Sequence, residues 1–188
     1  MDIFELIQQR RTVSPNQYNK QPITDEELQK ILESANWAPT HRNTEPWRFK
    51  VMQGESRLKL ADYLIEKNAE LEDKPSSFKN KKISSKFENS HTVIAICIQK
   101  SPKRIPPEWE EISAVAMAVQ NMWLYIHSMG YGAIWSTPSF AFNDEFRAFL
   151  KFDDSHKSMG LLYIGKTTKA NPSGRRISTI ETKVRWES

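Results

Sequence analysis

The stretch WEEISAVAMAVQNMWLYIHSMGYGAIW, Trp109 to Trp135, decides how this chain folds. From Trp109 to Met129 it contains neither proline nor glycine. Ile112, Ala116, Val119, Trp123 and Ile126 recur at helical spacing, while Ala114, Val115, Ala118, Met122 and Tyr125 carry apolar character to the other sides. A helix of this kind is expected to be buried on nearly all its faces. Gln120, Asn121 and His127 interrupt it, and no uninterrupted apolar run of about twenty residues exists anywhere in the chain, which favours a central core helix over a membrane span. Gly130 and Gly132 punctuate its end, and Ala133-Ile134-Trp135 follows as a short strand. The far end of that strand, Ser136-Thr137-Pro138, offers backbone amides and hydroxyls to a ligand.

Working outward, the other elements take shape around this helix. Thr92 to Ile98 is almost purely apolar and β-branched, as a strand covered on both faces should be. Trp47 to Met52 alternates and reads as a half-buried strand; Met159 to Gly165 reads as the fourth. Helices are expected over Asp2 to Arg10, with Ile3, Phe4, Leu6 and Ile7 as the apolar side, and after Thr24, where Glu27 closes a capping box. That second helix ends near Trp37-Ala38-Pro39. Arg57 to Ala69 is amphipathic, with Leu58, Ala61, Leu64 and Ile65 inward, and Asn143 caps a short helix before Leu150. Glu70 to Asn89, charged, serine-rich and interrupted by Pro75, reads as a mobile excursion with one or two helical turns, a candidate flap. Residues 166 to 188 have no face able to form a core; alternation through Ile177, Thr179, Thr182, Val184 and Trp186 suits an arm laid on another surface. With 188 residues, the expectation is one α+β domain built as a three-layer α/β/α sandwich.

Composition excludes several classes of function. The net charge of +4 is small and dispersed, and the lysines between 79 and 86 accompany no aromatic stacking platform, so a nucleic-acid binder is disfavoured. Cys97 is the single cysteine, so no internal disulfide forms, and the amino-terminal segment lacks the apolar core of a signal peptide; a cytoplasmic protein is expected. There is no GxGxxG after a strand, no GxSxG and no HExxH or CxxC, and the four histidines lack ligand spacing. Six tryptophans and nine phenylalanines exceed what one small core needs, leaving aromatic surface for a flat ligand or a second subunit.

Two segments carry binding chemistry. Arg10-Arg11-Thr12 at a helix exit is either an anion site, in which guanidinium forks meet phosphate oxygens, or a basic last turn that complements the helix dipole. Thr40-His41-Arg42-Asn43-Thr44-Glu45-Pro46-Trp47 is a dense polar loop between a helix and a strand, where binding groups are more often found than core packing.

These pieces together resemble the nitroreductase family of flavin enzymes, in its compact single-domain branch. The resemblance rests on the IxxRRTV opening, NWAPTHRNTEPWRFKVM, PPEWEEISAVAMAVQNM, GYGAIWSTP and LLYIGK, and it covers nearly the whole chain. It implies a mostly antiparallel central sheet and a homodimer that exchanges its C-terminal arms. It implies FMN in clefts built by both subunits, NADH or NADPH as reductant, and a nitroaromatic, quinone or similar small acceptor. The carried-over cofactor positions are Arg10, Arg11 and Thr12 at the phosphate and pyrimidine side, with Trp37 and His41 reaching FMN from the other subunit. Ser136, Thr137 and Pro138 fall beneath the isoalloxazine, and the C-terminal phosphate contact falls to Lys166, Lys169, Arg175 or Arg176. Trp37 and Ser136 stand where the family often has a basic residue. No catalytic side chain or metal is implied, because the cofactor carries the chemistry. A flavin protein with a storage or specialised role is the alternative.

Overall fold

The computed structural model describes residues 2–70, 76–101, 106–168 and 174–187. The elements run α1 (Ile3–Gln9), α2 (Asp25–Asn36), β1 (Trp47–Met52), α3 (Gly54–Glu70), α4 (Ser77–Asn89), β2 (Thr92–Gln99), α5 (Glu108–Ser128), β3 (Tyr131–Ser136), α6 (Asp144–Phe149) and β4 (His156–Lys166), with short 3-10 turns at Pro15–Gln17, His41–Asn43 and Glu181–Lys183. The sheet has the order β1-β2-β4-β3 and every pairing is antiparallel, which is the expected α+β sandwich.

The buried strand β2 shows why the layers form. Ile94, Ile96 and Ile98 point to one face and pack with Ile31, Val115, Val119 and Met122 of α2 and α5. Val93, Ala95 and Cys97 point to the other and pack with Leu60, Leu64, Phe87 and Phe146 of α3, α4 and α6. An all-apolar strand thus serves two cores at once. Cys97 is fully buried, and burial pushes its thiol up to about 12, so it stays protonated and unreactive.

Three expectations are corrected. Residues 77–89 form one continuous helix where the sequence suggested a mobile excursion of one or two turns; residues 71–75 of that excursion lie outside the described part. Ser76 caps α4 by accepting from the Lys79 amide, and the fully buried ring of Phe87 anchors its end. α5 is not buried all round, because Trp109, Ile112 and Met117 remain exposed along one side. On α3 the inward residues are Leu60, Ala61 and Leu64, while Leu58 is exposed: starting the helix at Gly54 places Leu60 on the stripe with Leu64. Residues 174–187 carry the 3-10 turn at Glu181–Lys183 and leave Ile177, Ile180 and Trp186 exposed in the single chain.

Candidate functional site

The segment after α1 is held against the edge strand β3 by a chain of short-range causes. The Val13 amide donates to the Ala133 carbonyl at 3.0 Å, and the Tyr18 hydroxyl donates to the Val13 carbonyl at 2.9 Å, with the Tyr163 carbonyl at 3.2 Å. The Tyr18 ring lies flat across the sheet only because two residues beneath it lack side chains. A β-carbon would fall 2.7 Å from the ring at Gly132 and 2.3 Å from it at Gly165. Burial pushes the Tyr18 phenol above its ordinary range, so it serves as a neutral donor. Sequence reading passed over Tyr18, because nothing near it in the chain points to Gly132 and Gly165.

This anchoring aims Arg10 and Arg11 at the later half of α5. The Arg10 guanidinium sits 4.5 Å over the Trp123 ring, and Arg11 Nη1 donates to the Arg10 carbonyl at 2.7 Å. Arg10 Nη1 and Arg11 Nε are shielded from solvent and make no hydrogen bond. The C-terminal segment returns to the same place: a β-carbon at Gly174 would fall 1.8 Å from Arg11 Nε, and the charge of Arg176 is felt at Arg10. Burial first, then Arg11 and Arg176, push the Arg10 pKa down; burial, then Arg10 and Arg11, do the same to His127. Clustered cations with inward N–H groups left over form a receptor for an anion. The donor set therefore fits the phosphate of a mononucleotide, and the dipole reading of Arg10-Arg11 does not account for the unmet N–H groups.

The Ser136–Pro138 loop lies at the far end of β3, three residues beyond Ala133 and so about 10 Å along the strand from the Val13 anchor. Arg10, Arg11, Thr12, Arg176 and this loop thus lie along one edge of the sheet, with Thr12 exposed between the arginines and Val13. Arg175 is exposed, and its carbonyl accepts from Arg176 Nη1 at 3.4 Å. Lys166 is turned elsewhere: it pairs with Glu27 at 3.3 Å and lies 4.8 Å over the Tyr131 ring. Lys169 lies outside the described residues.

Trp37 and His41 are placed differently. Trp37 ends α2 and is 79 % exposed. His41 Nδ1 lies 2.5 Å from Glu110 in the first turn of α5, beside a cavity of about 260 Å³ lined by Pro39, Trp109 and Met117. Arg42, Asn43 and Glu45 in this loop all adopt positive φ, at 55°, 52° and 43°, a conformation that residues other than glycine disfavour. Glu110 precedes Trp123 by thirteen residues, so at 1.5 Å per residue the His41 end of α5 is roughly 20 Å from the Arg10 end. Within one chain His41 and the Arg10 cluster do not meet.

Comparison with known proteins identifies the family. Over 165 residues the chain is 27 % identical to an Escherichia coli K12 protein provisionally named NAD(P)H nitroreductase YdjA, covering 88 % of each. Its fold is similar to that of a nitroreductase-like family protein from Bacillus cereus, with a TM-score of 0.85, 26 % identity and coverage of 100 % of this chain and 96 % of the other. It is also similar in fold to a Bacteroides fragilis nitroreductase solved with bound FMN, with a TM-score of 0.74, 21 % identity and full coverage of both chains. The model of the nitroreductase family matches residues 7–166, a span that runs from the Arg10 segment to the end of β4, and the chain belongs to that family.

Proposed function

We propose that the protein is an FMN-dependent oxidoreductase that takes electrons from NADH or NADPH and passes them to a small acceptor such as a nitroaromatic or quinone. The observation that carries this is the pair of buried, unmet N–H groups on Arg10 and Arg11, in the segment that Val13 ties to Ala133 of β3, the strand that leads into the Ser136–Pro138 loop. Arg10, Arg11 and Arg176 would hold the phosphate; Ser136, Thr137 and Pro138 would border the ring. FMN, when bound, supplies the two-electron relay between nicotinamide and acceptor. Of the remaining contacts, His41 lies too far along α5 to serve the same site, which supports its being supplied, with the exposed Trp37, by the partner subunit of a homodimer. Exposed Ile3, Phe4 and Ile7 on α1, Trp109 and Ile112 on α5, and Ile177, Ile180 and Trp186 on the arm offer the apolar surface such a dimer needs, and the outer part of the 166–188 arm, beyond Arg176, would pack on the partner.

No GxGxxG dinucleotide fingerprint provides for the nicotinamide, so reductant and acceptor take turns at one face and double-reciprocal plots should be parallel. Among the described residues no helix is long and apolar enough to cross a membrane, and a lone buried cysteine suits the cytoplasm. The test is an absorbance spectrum before and after anaerobic addition of NADH or NADPH. A yellow protein that bleaches supports the reading; a yellow protein that does not bleach has a storage or specialised role; a colourless one that takes up no FMN refutes it.

A further inference from the structure

A second concentration of positive charge lies on the opposite face of the sheet from the Arg10 cluster. Lys79, Lys82 and Lys86 recur on one side of α4 at helical spacing, above a cavity of about 300 Å³ shared with α3 and the loop after β3. Its floor is apolar, made by Leu64, Ile83, Phe140 and Tyr163, and its rim includes Ser136 and Pro138. Lys86 is half-buried, its ammonium 5.9 Å over the Tyr163 ring, and among the described residues neither it nor Lys82 pairs with a carboxylate. The carboxylates of Glu70 and Glu145 close to α3 are engaged by Lys67 at 2.8 and 3.0 Å. Burial first, and then Lys82, lower the Lys86 pKa, so this ammonium is held where it gains from an incoming negative charge. The phosphate of FMN is already provided for by Arg10, Arg11 and Arg176 on the α5 side, so the lysines of α4 answer to a different anion.

We propose that this cavity selects acceptors consisting of one planar aromatic ring bearing a carboxylate or sulfonate, with the ring on Leu64, Ile83, Phe140 and Tyr163 and the anionic group at Lys82 and Lys86. The acceptor role rests on Ser136–Pro138 bordering the flavin; the binding itself does not. A volume of this size accommodates a single substituted ring, and a fixed pair of ammonium groups discriminates an anion from its neutral isostere. This narrows the loose selectivity that stacking alone would give.

Calorimetry on the protein as purified, comparing benzoate with neutral benzamide, reads the pocket without turnover. The expected result is benzoate preferred by about tenfold or more, a preference that weakens with salt, is lost in the Lys82→Met/Lys86→Met double variant, and survives in Lys86→Arg, with FMN content and circular dichroism unchanged throughout. On the flavoprotein, kcat/KM for 4-nitrobenzoate should exceed that for 4-nitrobenzamide by a similar factor, and the ratio should collapse in the double variant. Equal affinity for the two probes, a preference that persists in the double variant, or stoichiometric displacement of benzoate by FMN would overturn the proposal; the last would give the cavity to the cofactor. A colourless protein that still prefers benzoate would keep the pocket and remove the flavin reading instead.

Discussion

α1 and α2 begin alike and end differently. Asp2 and Glu5 form a capping box at the start of α1, as Thr24 and Glu27 do at the start of α2, and both helices carry an apolar stripe. α2 buries Leu28, Ile31 and Ala35 beneath the sheet. α1 buries nothing and leaves Ile3, Phe4 and Ile7 exposed at 68 %, 65 % and 47 %. A start signal and a periodic stripe therefore predict that a helix forms, but not what covers it. A short helix draws most of its stability from packing, so within one chain α1 is much less supported than α2.

The largest effect that would sharpen this contrast is on assembly. Phe4→Asp combined with Ile7→Asp should convert a dimer to monomers, each lost apolar anchor costing about 2 kcal/mol or more, while leaving the far-ultraviolet spectrum nearly unchanged. Sedimentation at micromolar concentration measures it; wild-type protein that is monomeric yet holds stoichiometric flavin would break the comparison. On the covered side, Ile31→Ala should lower unfolding free energy by about 2 to 5 kcal/mol in a urea titration, whereas Ile7→Ala should barely move the unfolding of the isolated chain.

Immediately beyond the uncovered helix, Arg10→Ala should weaken FMN binding by about 1.5 to 3 kcal/mol, and Arg10→Lys should recover only part, because an ammonium lacks the guanidinium fork. Fluorescence titration of apoprotein with FMN reads this, and unchanged affinity would move the phosphate contact to the C-terminal arginines. Removing the cap of the packed helix, Thr24→Ala, should cost about 1 kcal/mol, and Asp2→Ala less, since little depends on α1 in a single chain.

The smallest effect is on pH dependence. The Glu27 carboxylate accepts from the Tyr131 hydroxyl at 2.5 Å, bonds its own cap at Thr24 and pairs with Lys166, in that order of influence, and its pKa falls from 4.5 to about 2. A depressed folded-state pKa contributes stability that is present above about 4.5 and lost as pH falls toward about 2. Glu27→Gln should flatten that part of the acid-stability profile; a slope identical to wild type over that window would show the contact to be idle.

Much of the candidate site was legible in the sequence because its groups are consecutive: Arg10-Arg11-Thr12, the Thr40–Trp47 loop and Ser136-Thr137-Pro138 are each local strings. Lys82 and Lys86 were not, since a spaced lysine row reads as a solvated helix face until an apolar floor is placed under it. Tyr18 was missed for the same reason: its role exists only where Gly132 and Gly165 lie side by side on adjacent strands.

The sequence by itself determined the helices and strands, the buried centre at β2 and α5, and the absence of metal or nucleophile motifs. These follow from periodicity and residue type, which act over a few neighbouring positions. Only the tertiary structure decided that α4 is a continuous helix, that α5 keeps one side exposed, that Arg176 returns to Arg10, and that His41 stands roughly 20 Å from it along α5. Those outcomes depend on which surfaces meet across long sequence separations, and local pattern carries no information about the partner a surface will find.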